Sequence, residues 1–316
     1  MAGMPPAVGA AALVGITLIW GTTFVVIKQA LHTIPVPLLL AVRFTMAGLL
    51  LSWARFDRRA VRPALVLGVL AFAGFATQTL GLSLTTASKA AFITGLSVIL
   101  TPLVAAVWMG RRVTGRAYLA ALVALVGLAL MTLRDGVSQI NGGDLWVLGT
   151  ALAYALFIVY LGEVAGRASA TSLAALQHVP MAVLAWLWAL PQVGALRHVP
   201  LTTFLAIFYL AAVATALVAV VQTYAQRVVP AHVAALIFVL EPVIASIFAF
   251  FLLGERLGML GWIGGVLVVS AMFLSELRPR RRPQPAGHPM ASARNASPSG
   301  GEADDRAARG SRRADP

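Results

Sequence analysis

The sequence predicts an all-α integral membrane protein with ten transmembrane helices arranged as two inverted five-helix repeats. Three observations predict it. First, 59% of the 316 residues are hydrophobic and only 11% are charged, whereas a soluble domain has about a quarter of its residues charged. Most of the apolar surface must therefore lie in lipid. Second, charge-poor stretches close to the ~20 residues that cross ~30 Å of hydrocarbon recur along the chain. Third, the second half repeats the first. Gln78-Thr79 returns as Gln222-Thr223, and Gly110-Arg111-Arg112-Val113 as Gly254-Glu255-Arg256-Leu257, both 144 residues later. Five crossings per copy is an odd number, so the second copy enters the bilayer upside down.

The first helix is the charge-free run 8–27. No Lys or Arg precedes Lys28 and no clear cleavage site of the A-x-A kind follows, which argues against a signal peptide. The second run, 36–54, is broken by Arg43 alone; the third, 64–88, carries Gln78-Thr79; the fourth, 90–110, holds Pro102; the fifth is 117–133. Residues 1–133 form the first repeat, and 134–144, polar and Gly-rich, reads as the turn between repeats. The second repeat, 145–276, follows with the run 145–162 holding Tyr154, then 168–196 with Gln177 and 198–226 with Gln222-Thr223. The ninth run, 228–254, is broken only by Glu241, and 257–275 is the tenth. Continuous apolar runs, without alternation, exclude a β-barrel. Residues 277–316, rich in Arg, Pro, Ala, Gly and Ser, cannot bury enough surface to fold and read as a disordered basic tail.

Helices three to five keep the 144-residue offset throughout, matching Ala87 with Ala231 and Ile93 with Ile237. Helices one and two align at an offset of 134, pairing Trp20 with Tyr154 and Arg43 with Gln177. Pro102 faces Ser246, four residues past Pro242, which is about one helical turn. Each proline is expected to break its helix, so Pro102 and Pro242 read as hinges beside a cavity, or as packing kinks. A bilayer tolerates such a break where neighbours or water satisfy the freed carbonyls.

Arginine asymmetry sets the orientation. With a cytoplasmic N-terminus, nine arginines (Arg55, Arg58, Arg59, Arg62, Arg111, Arg112, Arg116, Arg167 and Arg227) fall in inner loops, against five basic residues in outer ones (Lys28, Lys89, Arg134, Arg197 and Arg256). Both termini are therefore expected in the cytoplasm. The net charge of +13 then consists mostly of anchors against anionic lipid, and no nucleic-acid partner is expected. The expected partners are the bilayer and a small-molecule substrate, with the monomer as working unit. The chain has no Cys, which excludes disulfides and Cys-based metal sites.

Inverted repeats of this kind mark transporters whose substrate site lies between the halves near mid-membrane. No phosphate-binding loop, zinc-protease or serine-hydrolase motif occurs, and the five His residues lack metal-ligand spacing. No catalytic residue, metal or cofactor is expected. A charge near the bilayer centre costs at least about 2.5–3.5 kcal/mol, so Glu241 must face protein or an aqueous cavity. It either exchanges a proton and couples transport, or bonds donors beside the proline break. Arg43 pairs with Glu241, holds a substrate carboxylate or snorkels outward; the polar repeat partner Gln177 favours an interior place. Gln78, Thr79, Gln222 and Thr223 occupy equivalent positions and read as cavity lining, or as glue between helices. Trp20 and Tyr154 lie well inside their helices and suit stacking on a substrate, although Trp and Tyr also serve as interfacial anchors. Lys28 and His32, near a helix end, read as snorkelling side chains.

Three segments carry a resemblance: Trp20-Gly21-Thr22-Thr23-Phe24 with Lys28, the run from Thr85-Thr86-Ala87-Ser88-Lys89 through Leu96 to Pro102, and Leu240-Glu241-Pro242 leading to Leu253-Gly254-Glu255-Arg256-Leu257. Over residues 8–276 the chain resembles the EamA-type drug/metabolite transporters. The first-half loop departs from the second by having Arg111 where the second has Glu255. The resemblance implies a ten-helix carrier of small metabolites, often amino acids, with some relatives exporting aromatic ones. The sequence thus reads as a secondary transporter working by alternating access in the cytoplasmic membrane, exporting small metabolites and amino acids foremost. A passive channel or lipid scramblase is the alternative.

Overall fold

In the computed structural model, residues 4–108, 115–132, 141–256 and 258–276 are described. They are mostly helical, joined by short turns, with no strand among them. Seven helical segments are long and apolar enough to cross a bilayer, and two shorter apolar helices, Val36–Leu50 and Met259–Leu274, accompany them. Their outward faces are large and apolar: Val69, Leu122, Leu152, Val183, Phe251 and Val266 are all exposed. This is a multi-pass membrane protein.

In the first half the helices are α1 (Pro6–Ala30), α2 (Val36–Leu50), α3 (Val61–Leu84), α4 (Ala87–Gly95), α5 (Ser97–Trp108) and α6 (Gly115–Thr132). The second half holds α7 (Gly142–Val164), α8 (Ala170–Leu176), α9 (His178–Ala189), α10 (Leu201–Ala211), α11 (Val218–Ala225), α12 (Ala231–Phe238), α13 (Leu240–Leu253) and α14 (Met259–Glu276). Local chemistry sets the starts. Pro5, Pro35 and Pro200 stand at the N-caps of α1, α2 and α10, where a missing N–H costs nothing. Asn141 and Asp144 form a reciprocal capping box on α7. That helix therefore begins at Gly142, inside the stretch that composition alone reads as a turn. The rest of that turn (134–140) and the basic tail lie outside the described residues.

One of the two expected proline breaks is found where the sequence places it and the other is not. Pro102 lies inside α5, and the break in this crossing is at Leu96, between α4 and α5. The corresponding break is at Val239, between α12 and α13, one residue from the place that the 144-residue offset assigns. Pro242 sits in the first turn of α13, where proline is tolerated because first-turn N–H groups have no intrahelical partner. A third break falls at Gln177, between α8 and α9, and a π-helical stretch, Ala212–Leu217, joins α10 to α11. The breaks at Leu96 and Val239 keep the repeat symmetry, while the break at Gln177 and the π-helical stretch have no counterpart in α2 and α3.

Packing follows the same pairing. The most extensive contacts join α3 to α7, α6 to α14, α2 to α9 and α1 to α13. Helix α4 lies along α13 while α5 lies along α12, so these two broken crossings run antiparallel. A Cβ on Gly81 of α3 would lie 2.6 Å from the Gly143 carbonyl oxygen, and one on Gly143 2.7 Å from that of Gly81. With little hydrophobic drive between helices in lipid, such backbone approach is how they gain contact.

Candidate functional site: a cavity between the halves

Between the two halves lies a cavity of about 80 Å³, several times the ~10–15 Å³ that one water needs. Trp20, Arg43, Gln78, Tyr154, Gln177, Gln222, Thr223 and Glu241 all line it. Thr79 does not. It is buried one position further round α3, and its hydroxyl finds no partner among the described residues.

Arg43 is 1% exposed and does not snorkel. Its Nε donates to Thr215 Oγ1 at 2.7 Å, and its guanidinium stands 4.6 Å from the centroid of the Phe75 ring. Thr215 is placed by the π-helical stretch, whose widened turn lets its hydroxyl donate to the Leu210 carbonyl five residues back at 2.7 Å. Arg43 Nη1 has no partner among the described residues. Glu241 lines the same cavity from the first turn of α13, where the helix dipole favours an acid. Its carboxyl group has no hydrogen-bond or ion-pair partner among the described residues, and the two charges do not pair with each other. One cation and one acid, contributed by opposite halves, thus face a common space.

Neutral polar groups and rings complete the wall. Tyr154 Oη donates to Gln78 Oε1 at 3.4 Å, and Gln78 Nε2 donates to Thr94 Oγ1 at 3.3 Å. Gln222 Nε2 donates to Gln226 Oε1 at 3.1 Å. Gln177 occupies the break between α8 and α9, with its Oε1 unpartnered. Trp20 packs on Phe238 with centroids 5.2 Å apart, and Phe75 on Tyr154 at 5.7 Å. Gly74 makes room for this last ring, since a Cβ there would lie 2.2 Å from it.

Sequence reasoning missed Phe75, Thr94, His178, Thr215 and Phe238, which also line the cavity. Helical spacing carried a signal for one: Phe75 precedes Gln78 by three residues and so shares its face. His178 is fixed by a 2.7 Å contact between Nδ1 and the Ala174 carbonyl.

Polar ties close both ends of the bundle. At one end Lys28 Nζ donates to the carbonyls of Leu82, at 2.9 Å, and Thr85, so it caps the end of α3 and does not snorkel. Lys89 pairs with Asp144 at 2.7 Å, and Asp144 also accepts from Thr85 Oγ1 at 2.9 Å. Glu255 crosses from the second half to cap α4, accepting from the backbone N–H of Ala87 at 2.8 Å and of Ser88 at 3.0 Å. At the opposite end the Asp57 carboxylate accepts from the N–H of Ser169 at 2.9 Å and of Arg59 at 3.0 Å. These backbone donors, Ser169 first, hold its carboxyl below the usual carboxylate range. Arg227 donates to the carbonyls of Ala165 at 2.8 Å and Ala168 at 2.5 Å. Arg111, the departure from Glu255 in the first-half loop, lies outside the described residues.

Compared with known families, the profile of the EamA-like transporter family matches residues 7–133 and again 141–277. The chain belongs to the EamA-like transporter family. Two relatives of this EamA-like chain come from Archaeoglobus fulgidus, each named an uncharacterized transporter. One is 30% identical over 275 residues, covering 83% of this chain and 84% of its own. The other is 26% identical over 283 residues, covering 82% and 93%. A solved crystal structure, 18% identical, superposes with a TM-score of 0.63 over 84% of this chain and 95% of its own. At that identity the likeness speaks for the fold alone.

Proposed function

We propose that this membrane transporter is a secondary carrier of small metabolites, with amino acids as the foremost class and aromatic ones among them. The observation that carries the reading is the cavity in which Arg43 and Glu241 stand unpaired from opposite halves. An unpaired buried charge is expensive. A cargo bearing a carboxylate and an ammonium group would relieve both charges at once, and the rings of Trp20, Phe75, Tyr154 and Phe238 suit its apolar part. Gln78, Gln177, Gln222 and Thr223 offer it hydrogen bonds, and Glu241 is the candidate to carry a coupling proton.

The mechanism we infer is alternating access by ten crossings in two inverted repeats, 1–133 and 145–276. Matched breaks at Leu96 and Val239 and the antiparallel run of α4–α5 against α12–α13 support that arrangement. So do the two sets of polar ties, which a carrier would release one at a time. Two discrete sets of contacts with different cargo affinity are what such a switch requires. The arginine count favours cytoplasmic termini and a Glu255 end facing outward, and the cytoplasmic membrane is the proposed location. Export is the proposed direction, and a monomer the working unit.

The test is counterflow in proteoliposomes with a panel of radiolabelled amino acids and other small metabolites. A carrier gives saturable exchange. Unsaturable flux without exchange would mean a passive channel, and lipid movement without solute flux would mean a scramblase.

A further inference from the structure

The arginines at the Asp57 end are gathered in one place. Arg58 and Arg59 in the short turn Arg58–Ala60, Arg62 in the first turn of α3 and Arg167 just beyond α7 line a groove of about 640 Å³. Trp108 at the end of α5 and Tyr160 on α7 form its aromatic side. Glu163 is the acid in the lining, and it pairs with Arg167 at 3.3 Å. Arg58, Arg59 and Arg62 form no ion pair among the described residues. The neighbouring Asp57 spends its carboxylate on the backbone N–H groups of Ser169 and Arg59. Arg58 and Arg62 have no acid of their own, and Arg59 shares the charge of Asp57 without an ion pair to it. Together the three guanidinium forks fit a phosphate group, whose oxygens they can grip in pairs.

The surroundings select a phosphate that is attached to acyl chains. Arg62, Leu65, Val66 and Val69 follow one another along one face of α3, and Leu65, Val66 and Val69 are exposed. Val107 and Trp108 are exposed at the end of α5. An apolar face therefore leads from the groove along the crossing helices. The Trp108 and Tyr160 rings, with centroids 6.2 Å apart, mark the level at which aromatic belts lie in membranes. We propose that this groove binds one anionic phospholipid. Arg58, Arg59 and Arg62 hold its phosphodiester, and Leu65, Val66, Val69 and Val107 carry its acyl chains. A soluble phosphate gains the arginines but not the apolar face. A zwitterionic lipid brings a second cation against three unpaired ones. The groove joins the ends of α3, α5 and α7, so a bound lipid ties three helices that also wall the cavity.

The experiment uses the full chain in neutral detergent, with thermal unfolding and native mass spectrometry as readouts. The probes are phosphatidylglycerol, phosphatidylcholine with the same acyl chains, and glycerol phosphate. Phosphatidylglycerol is expected to raise the Tm and leave a one-lipid adduct, while the other two do neither. Each arginine near a charged lipid surface contributes about a factor of five in binding, so Arg59→Gln with Arg62→Gln should weaken the adduct roughly twentyfold. Should that pair fail to fold, Arg58→Gln or Arg62→Gln alone gives about fivefold. Arg197→Gln, at the other end of the bundle, leaves the adduct unchanged. Equal stabilisation by phosphatidylcholine, equal stabilisation by glycerol phosphate, or an undiminished adduct in the arginine variants overturns the proposal.

Discussion

Arg43→Met separates a cargo-binding arginine from a structural one, because the two roles predict opposite results. The Nε–Thr215 bond of 2.7 Å is charge-assisted and is worth about 1.5–3 kcal/mol. The guanidinium 4.6 Å from the Phe75 ring contributes about 2 kcal/mol in a desolvated site. Against these stand the desolvation of a buried cation, several kcal/mol after relaxation, and an Nη1 with no partner. The terms nearly cancel. Methionine fills much of the same volume with an unbranched apolar chain, so the fold should keep its Tm within a few degrees. Transport should fare differently. Losing the charged partner of a buried cargo group costs about 2–5 kcal/mol, which raises the half-saturating concentration by roughly thirtyfold or more. The assay pairs thermal unfolding in detergent with counterflow of the amino acid that wild-type protein exchanges fastest. A large drop in Tm with unchanged half-saturation would refute the reasoning and make Arg43 a strut.

Four further outcomes are expected. Glu241→Gln should keep the fold and abolish the pH dependence of uptake; unchanged pH dependence in a folded variant would leave Glu241 structural. Glu255→Gln weakens the cap on α4, so a cysteine placed at an otherwise buried cavity position should react faster with a reagent added from the Glu255 side. Gly81→Val sets a branched side chain where even a Cβ would lie 2.6 Å from the Gly143 carbonyl; overpacking of this kind costs about 1–3 kcal/mol, readable as a lower Tm. Asp57→Asn should lower the Tm at neutral pH. Because the folded carboxyl is held below its ordinary range, that contribution is complete above the ordinary carboxylate range and is lost as pH falls through the lower folded value. The gap between wild type and variant should therefore close on acidification.

The crossings were legible because a bilayer selects for apolar runs and leaves little freedom in where they go. Polar residues inside such runs are few, and most of those named from sequence line one cavity. Thr79 differs from Gln78 by one position, which is about 100° around a helix, and that turn takes it off the cavity. Of the two prolines read as helix breakers, Pro242 stands beside a break and Pro102 does not. Pro242 lies in the first turn of α13, while Pro102 is carried inside α5. The breaks at Gln177 and Val239 each stand three residues before a proline, Pro180 and Pro242, whose absent N–H leaves the last carbonyl of the preceding helix, that of Leu176 or Phe238, without its usual donor. The break at Leu96 has no proline at that spacing. Lys28 misled because the carbonyls that receive it, those of Leu82 and Thr85, belong to a different helix end. The Arg43 partner Thr215 depends on a π-helical stretch that composition does not mark.

The central claim is that the two ends open in turn around one cavity. The natural chain has no Cys, so paired spin labels can be placed at will. One pair, at Ser83 and Leu201, reports the Glu255 end; another, at Ser52 and Gly166, reports the Asp57 end. With a saturating transported amino acid in proteoliposomes, the account predicts distance changes of opposite sign at the two ends. Distances that stay fixed at both ends, or that widen at both together, would contradict it.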